Sequence, residues 1–370
     1  MPRLHLTNHL TRLLSRLLST LPEPVTTLLP LPLPLRTRTR TRARSRALSR
    51  PPIYPYAATT THYKDKDLLP PRPQRRHLLT RRALTMAGVA LLVLLSGLVL
   101  LPAYAIYRPP HLLIRYFQHR WPDTTFHVPL PPAAPPTIAL TIDDAPSTFT
   151  PQILELLTAH EARATFFVIG AQIPGAGVGP AATNGEAMLR ELVRHGMELA
   201  NHAMSDRPSR DLSDAVLEAE VRGVQGWLER VEDQVASASA SASASGERGA
   251  GEGGAQGKAP AKYKYKWFRP GSGFFSDRMR VLIHRLGLRM ALGSVYPHDA
   301  QINWPRVNAW HILSMVRSGS VIVCHDRRGW TVPMLKRVLP ELKRRGFRVV
   351  TLSELVELGE QSQLPKQIST

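Results

Sequence analysis

Residues Thr137–Pro146 read T-I-A-L-T-I-D-D-A-P. The first six are largely β-branched or aliphatic and predict a strand by composition and length. Two adjacent carboxylates, Asp143 and Asp144, stand at its C-terminal end, ahead of Pro146. In parallel α/β folds the active site gathers where strands end. An acidic turn is the plain alternative for this pair taken by itself. Downstream the same unit repeats. Pro151 to His160 predicts a helix with Pro in its first turn, and Ala164 to Ile169 a strand. Glu186 to His195 predicts a helix stopped at Gly196, and Met197 to Asn201 a short strand. Leu212 to Val231 predicts a long helix with Ser213 as its cap. Helices are expected over Arg278 to Leu286, Trp304 to Met315 and Pro333 to Arg345, and strands over Val321 to Cys324 and Arg348 to Thr351. This alternation implies an α/β domain with a mainly parallel sheet, open or closed into a barrel.

Upstream the chain changes character. The formal charge is +20. Residues 1–82 carry about 17 Lys and Arg against about 3 acids, so the rest of the chain is only mildly basic. That arm, with its T-R-T-R-T-R-A-R-S-R run from Thr37 to Arg46 and its scattered prolines, reads as disordered, with a transit peptide as the alternative. Residues 83–106 hold no charge and number about 24, long enough to cross a bilayer. Arg75, Arg76, Arg81 and Arg82 just before them favour a cytoplasmic N-terminus and a lumenal or extracellular C-terminal domain. An uncleaved signal anchor is the expectation, ahead of a signal peptide cut near Ala103–Ala105. Because the charge lies before a membrane span, a nucleic-acid partner is not expected. Residues 107–135 read as a Pro-containing stem, 136–356 as the folded domain and 357–370 as a tail. Within the domain, residues 234–262 (S-A-S-A repeats followed by a Gly-rich stretch) read as a disordered insertion. The single cysteine, Cys324, excludes an internal disulfide.

Polar residues recur at strand ends. His202 follows the strand ending at Asn201, and Asp206 comes four residues later. With Asp144, this imidazole and two carboxylates can reach one cation and leave positions open for water. Arg269 lies in F-R-P-G-S-G, where glycines allow close backbone approach to a ligand. His325 and Asp326 end the strand from Val321. A histidine there suits general acid–base work.

The order and spacing of these clusters resemble the polysaccharide deacetylases of carbohydrate esterase family four, which carry the NodB-homology domain and include chitin and peptidoglycan deacetylases. Thr141–Pro146 matches the family's T-F-D-D-G-P, which implies Asp143 as general base and Asp144 as metal ligand. Asn201–Asp206 resembles N-H-[ST]-x-x-H. His202 carries over as a ligand, and Asp206 stands where relatives have a second His. Arg269–Gly273 resembles R-P-P-Y-G without its Tyr. Arg269 would hold Asp143, and the Ser272 amide would face the oxyanion. Ser294–Ala300 is similar to S-V-D-x-x-D-W without its Trp, so Asp299 would tune the catalytic histidine. Val323–Asp326 resembles L-x-H-D and gives His325 as general acid. The resemblance implies an irregular (β/α) barrel, a divalent metal with zinc the first expectation, and hydrolysis of N-acetyl groups from a chitin-like glycan rich in N-acetylglucosamine. An inactive sugar-binding relative, or a hydrolase of another amide, is the alternative.

Overall fold

The structure, a computed structural model, describes residues 75–173, 185–244 and 263–363. In chain order the elements are α1 (Arg75–Tyr107), α2 (His111–Arg120), β1 (Thr124–Thr125), β2 (Thr137–Ala145), α3 (Thr150–Ala159), β3 (Ala164–Val168), α4 (Gly185–Arg194), β4 (Glu198–Asn201), α5 (Asp214–Ala244), β5 (Trp267–Phe268), α6 (Asp277–Arg285), β6 (Arg289–Ala291), α7 (Pro305–Met315), β7 (Val321–His325), α8 (Thr331–Arg344), β8 (Arg348–Val350) and α9 (Leu352–Gln363). The strands form one parallel sheet in the order β1-β6-β5-β4-β3-β2-β7, with β8 also paired to β2. A bridge from Val295 to Ile322 joins the segment after β6 back to β7, so the sheet curls toward closure. This is the irregular (β/α) barrel that the motif order implied.

Strand β2 is the axis of the fold. All nine of its residues are buried, as expected of a strand covered on both faces. Its side chains alternate. Ile138, Leu140 and Ile142 pack outward with Phe166 of β3, Ile322 of β7 and the apolar faces of α3 and α8. Ala139 faces the interior with Phe167, Ala200, Trp267 and Val321. The two-residue period then puts Thr141 and Asp143 on the interior face above Ala139. Between Ile142 and Ala145 the register with β3 shifts, and Asp144 takes φ 65°. This bulge lets two neighbouring carboxylates serve one site.

Several boundaries differ from the sequence reading. Residues expected to form a stem hold α2 and β1. Ile114, Phe126 and Val128 are buried, and β1 pairs with β6, so the folded domain begins before residue 136. Helix α5 runs through the S-A-S-A segment to Ala244 instead of giving way to disorder at residue 234. Val235 is buried, and the Ser239 and Ser241 hydroxyls donate to carbonyls four residues earlier. Alanine carries no helix cost, so a helix already nucleated by packing propagates through such a repeat. Residues 245–262 of that expected insertion lie outside the described residues, as does the basic arm up to residue 74. The expected tail from 357 is the second half of α9, where Gly359 packs on Val128 and Glu360 receives Lys264 at 3.0 Å. Residues 364–370 lie outside the described set. The apolar segment is helical, and Arg81–Tyr107 is long and apolar enough to cross a membrane, at mean hydropathy 2.6.

At the floor of the barrel Glu198 is wholly buried. Its carboxylate accepts from Thr165 Oγ1 at 2.6 Å, Trp267 Nε1 at 3.1 Å, the Ser353 amide at 3.2 Å and the Ser353 hydroxyl. Burial raises its pKa from 4.5 to about 7, against the pull of these donors. A folded-state pKa above the unfolded one means that the stabilisation is complete below about pH 4.5 and is lost as pH rises through about 7. The change is on the order of 3 kcal/mol. Denaturant titrations between pH 4 and 8 should show this fall in the native protein, and Glu198→Gln should flatten it. An equally steep variant would rule out Glu198 as the source.

Candidate active site

The deepest element of the site is a buried ion pair. Arg269, which follows β5, donates from Nη1 to Asp143 Oδ1 at 2.5 Å and to Thr141 Oγ1 at 2.8 Å. Its Nε reaches the Ala291 carbonyl at 3.1 Å, its Nη2 the Leu292 carbonyl at 2.7 Å, and its guanidinium lies 3.9 Å over the Phe167 ring. Both members of the pair are about 3% exposed. The guanidinium therefore holds the Asp143 side chain in one orientation.

Asp144, His202 and Asp206 offer ligand atoms that all lie within 4.8 Å of one another. Both Asp144 carboxylate oxygens are buried and have no hydrogen-bond partner among the described residues. Burial pushes this carboxyl above its usual range, His202 and His325 pull it down, and Asp206 and Asp143 push it up. An unsatisfied buried carboxylate is costly unless a cation meets it. The Nδ1–H of His202 faces the Arg269 carbonyl at 2.7 Å, which leaves Nε2 as the lone-pair nitrogen, 3.7 Å from Asp144 Oδ1. This backbone contact fixes the ring as metal-binding histidines are fixed. Asp206 is exposed, on a loop after β4 in which Ala203 has φ 62°. Glu220 of α5 holds that loop by accepting from the Met204 amide at 3.1 Å and Arg207 Nη2 at 2.6 Å. A Cβ on Gly271 would come within 2.2 Å of the Arg207 carbonyl, so the third motif packs closely against the loop that carries Asp206. The donor set, one imidazole and two carboxylates with orphaned oxygens, fits a divalent cation.

Across the cleft, His325 ends β7. Asp299 accepts from its Nδ1 at 2.9 Å and from its backbone N–H at 2.8 Å, which leaves Nε2 to exchange a proton. Burial works against the imidazolium, but the Asp299 hydrogen bond and charge, with Asp143 and Asp144, raise the pKa to about 9. The fully buried Asp326 is a brace. It accepts from the Ser147 and Thr150 hydroxyls, and its amide donates to the Asp143 carbonyl at 2.7 Å. The structure thus brings Asp143, Asp144, His202, Asp206, Arg269, Asp299 and His325 together. Ser272 joins them through the chain alone, exposed in the turn Gly271–Gly273 at φ 63°. Two contributors carry no sequence signal. Arg328 places Nη2 3.7 Å from Asp144 Oδ2, and Trp330 donates its indole N–H to the Asp299 carbonyl at 2.8 Å. Trp330 braces Asp299 in a chain whose fourth motif has no tryptophan of its own.

Fold and site define a parallel (β/α) barrel with a candidate metal centre flanked by two buried pairs, Arg269–Asp143 and His325–Asp299. Residues 131–241 match the family described as polysaccharide deacetylase. A peptidoglycan-N-acetylglucosamine deacetylase of Bacillus cereus is 28% identical over 226 residues, covering 59% of this chain and 87% of that protein. A chitooligosaccharide deacetylase of Sinorhizobium fredii is 29% identical over 252 residues, covering 61% of this chain and 95% of that protein. Among solved structures, a peptidoglycan N-acetylglucosamine deacetylase in complex with 4-naphthalen-1-yl-N-oxidanyl-benzamide shares the fold at TM-score 0.50 and 22% identity, over 64% of this chain and 95% of that one. The matched region, residues 131–241, is a polysaccharide deacetylase domain of the NodB-homology kind.

The His325–Asp299 pair can be read directly. In metal-free protein, His325 should titrate near pH 9 by NMR. Asp299→Asn should bring it to 6.5 or below, because burial then acts without the carboxylate. An unshifted titration would show that Asp299 does not set it.

Proposed function

We propose that the domain hydrolyses the acetamide of an N-acetylglucosamine-containing glycan and releases acetate. The observation that carries this reading is the pairing of a fixed carboxylate base, Asp143 held by Arg269, with a protonated histidine, His325 held by Asp299, on either side of the Asp144–His202–Asp206 cluster. A sugar-binding relative without catalysis would have no use for both proton-transfer pairs. Family membership supplies the substrate class, since the relatives are named for deacetylation of peptidoglycan and chitooligosaccharides.

In this reading Asp143 accepts a proton from the attacking water, and Arg269 pairs with it and aims it. A divalent ion, zinc by first expectation, held by Asp144, His202 and Asp206 would supply Lewis acidity to the acetamide oxygen. The exposed Ser272 amide is proposed as a second donor to the developing oxyanion. His325 gives its Nε2 proton to the departing amine, and Asp299 keeps the imidazole in the tautomer that can do so. The amide C–N bond breaks, water oxygen joins the acyl carbon, and acetate and a free amino sugar leave. We further propose that α1 is an uncleaved signal anchor, with the basic arm cytoplasmic and the domain lumenal or extracellular. The uninterrupted apolar run and the arginines before it support that topology.

Full-length protein incubated with N-acetylated chitooligosaccharides and peptidoglycan, with and without added zinc, tests the activity by acetate release. No acetate from any glycan under either condition would sink the reading. Asp143→Asn should lower kcat by at least about 100-fold, the usual scale for a general base, with KM little changed.

Asp206 is a distinct test of the metal centre. Asp206→Ala should remove most divalent-ion affinity, more than the roughly 10–100-fold cost of disturbing a ligand's support. Asp206→His should keep it. Isothermal titration with zinc on the native protein and both variants, with Asp144→Ala as the reference loss, makes the comparison. Full affinity in Asp206→Ala would make Asp206 a solvated loop acid.

A further inference from the structure

No free linker separates the apolar helix from the domain. Tyr107, the last residue of α1, stacks on His298 at 5.0 Å and meets the His311 ring edge-on at 4.7 Å. Its carbonyl accepts from His298 Nε2 at 3.1 Å. The Arg108 guanidinium lies 4.6 Å over the Trp310 ring. Pro109 and Pro110 follow, and α2 begins at His111 with Ile114 already buried in the domain. The height and tilt of the domain are therefore tied to the end of α1.

The docking point adjoins the catalytic centre. His298 immediately precedes Asp299 in the chain. Ring contacts step from Tyr107 to His298 at 5.0 Å, from His298 to Tyr296 at 4.5 Å and from Tyr296 to His325, the proposed general acid, at 5.8 Å. His325 lies no farther from the end of α1 than these three steps combined. A bilayer's polar layer is roughly 5–8 Å thick on each side of its hydrocarbon. The centre thus stands within about two such layers of the end of α1.

The surface around the junction suits that position. Trp304 and Trp310 are 66% and 56% exposed, and Leu112 and Tyr116 of α2 are 75% and 58% exposed. Arg108 stacks on Trp310, and Arg306 lies two residues after Trp304 in the chain. Exposed tryptophans interleaved with arginines at the end of an apolar helix are the composition of a membrane interface, where the rings sit at headgroup level and the cations meet lipid phosphates.

Resting on the deacetylase and anchor readings above, we infer that this face lies in the headgroup layer of the bilayer that α1 crosses, and that the substrate is a membrane-inserted glycolipid bearing an N-acetylated sugar. A lipid-borne sugar headgroup is presented at the level where the centre is fixed, and lateral diffusion delivers it. A polymer free in the aqueous phase would have to enter between the domain and the membrane.

The test uses the full chain reconstituted in phosphatidylcholine–phosphatidylserine vesicles. Acetate release is compared for N-acetylglucosaminyl diacylglycerol in the same vesicles and for soluble chitotetraose. The inference expects kcat/KM at least tenfold higher for the glycolipid. Brominated phosphatidylcholine should quench tryptophan fluorescence, and Trp304→Phe with Trp310→Phe should remove most of that quenching. Equal or faster turnover of chitotetraose overturns the glycolipid assignment and leaves the deacetylase reading standing. Acetate from neither substrate overturns the glycolipid assignment, and overturns the deacetylase reading too when peptidoglycan in the assay above also yields none. Quenching that is absent, or unchanged in the double variant, shows that the face is turned to something other than lipid.

Discussion

The site depends on one buried guanidinium. Arg269 binds Asp143 and Thr141 of β2, the carbonyls of Ala291 and Leu292 at the end of β6, and the face of Phe167 from β3, while its own carbonyl fixes the His202 ring. One residue thereby sets the proposed base and one proposed metal ligand relative to each other. A buried ion pair contributes little net stability over an apolar replacement, but losing one partner costs about 3–5 kcal/mol, because the other charge is left buried and unpaired. The barrel interior above the Phe167 layer is in effect built around this cation, and the strand ends that carry the chemistry are registered to it.

How much of this was legible follows from strand length and sidedness. The long buried strands β2, β3 and β7 announce themselves as β-branched runs, and the polar residues at their ends stand out because apolar residues precede them. Strands β1 and β5 span two residues each and β6 three. No periodicity can be read from so few positions, and they exist only because neighbouring strands offer hydrogen-bonding edges. Helix α5 outran its expected end because the Ser-Ala repeat has no apolar face to detect and also no residue that stops a helix. Nothing in the short strand Met197 to Asn201 marks Glu198 as buried. Its burial is visible only once Thr165, Trp267 and Ser353, distant in sequence, converge on it.

The candidate catalytic set was legible through motif order, and the geometry adds the relations between its members. Asp299 sat in the poorest of the five matches, yet it makes two hydrogen bonds to His325. Its brace is Trp330, more than thirty positions downstream on the far side of β7, which no local pattern could have supplied. Arg328 was equally silent, since a basic residue after H-D reads as a solvated turn.

Charge is concentrated around Asp144. Asp143, Asp144 and Asp206 concentrate three carboxylates around one cleft, where relatives with a histidine at the position of Asp206 carry two. Arg269 neutralises Asp143, so Asp144 and Asp206 remain. Burial and the two neighbouring acids already push the Asp144 carboxyl upward, toward the protonated form that cannot serve as an anionic ligand. His202 and His325 oppose that push, and Arg328 places Nη2 3.7 Å from Asp144 Oδ2. Asp206 is exposed, where water screens its charge. The cluster is thus one carboxylate richer than a pattern with two histidines, and the formal charge of Asp144 and Asp206 together equals that of a divalent cation.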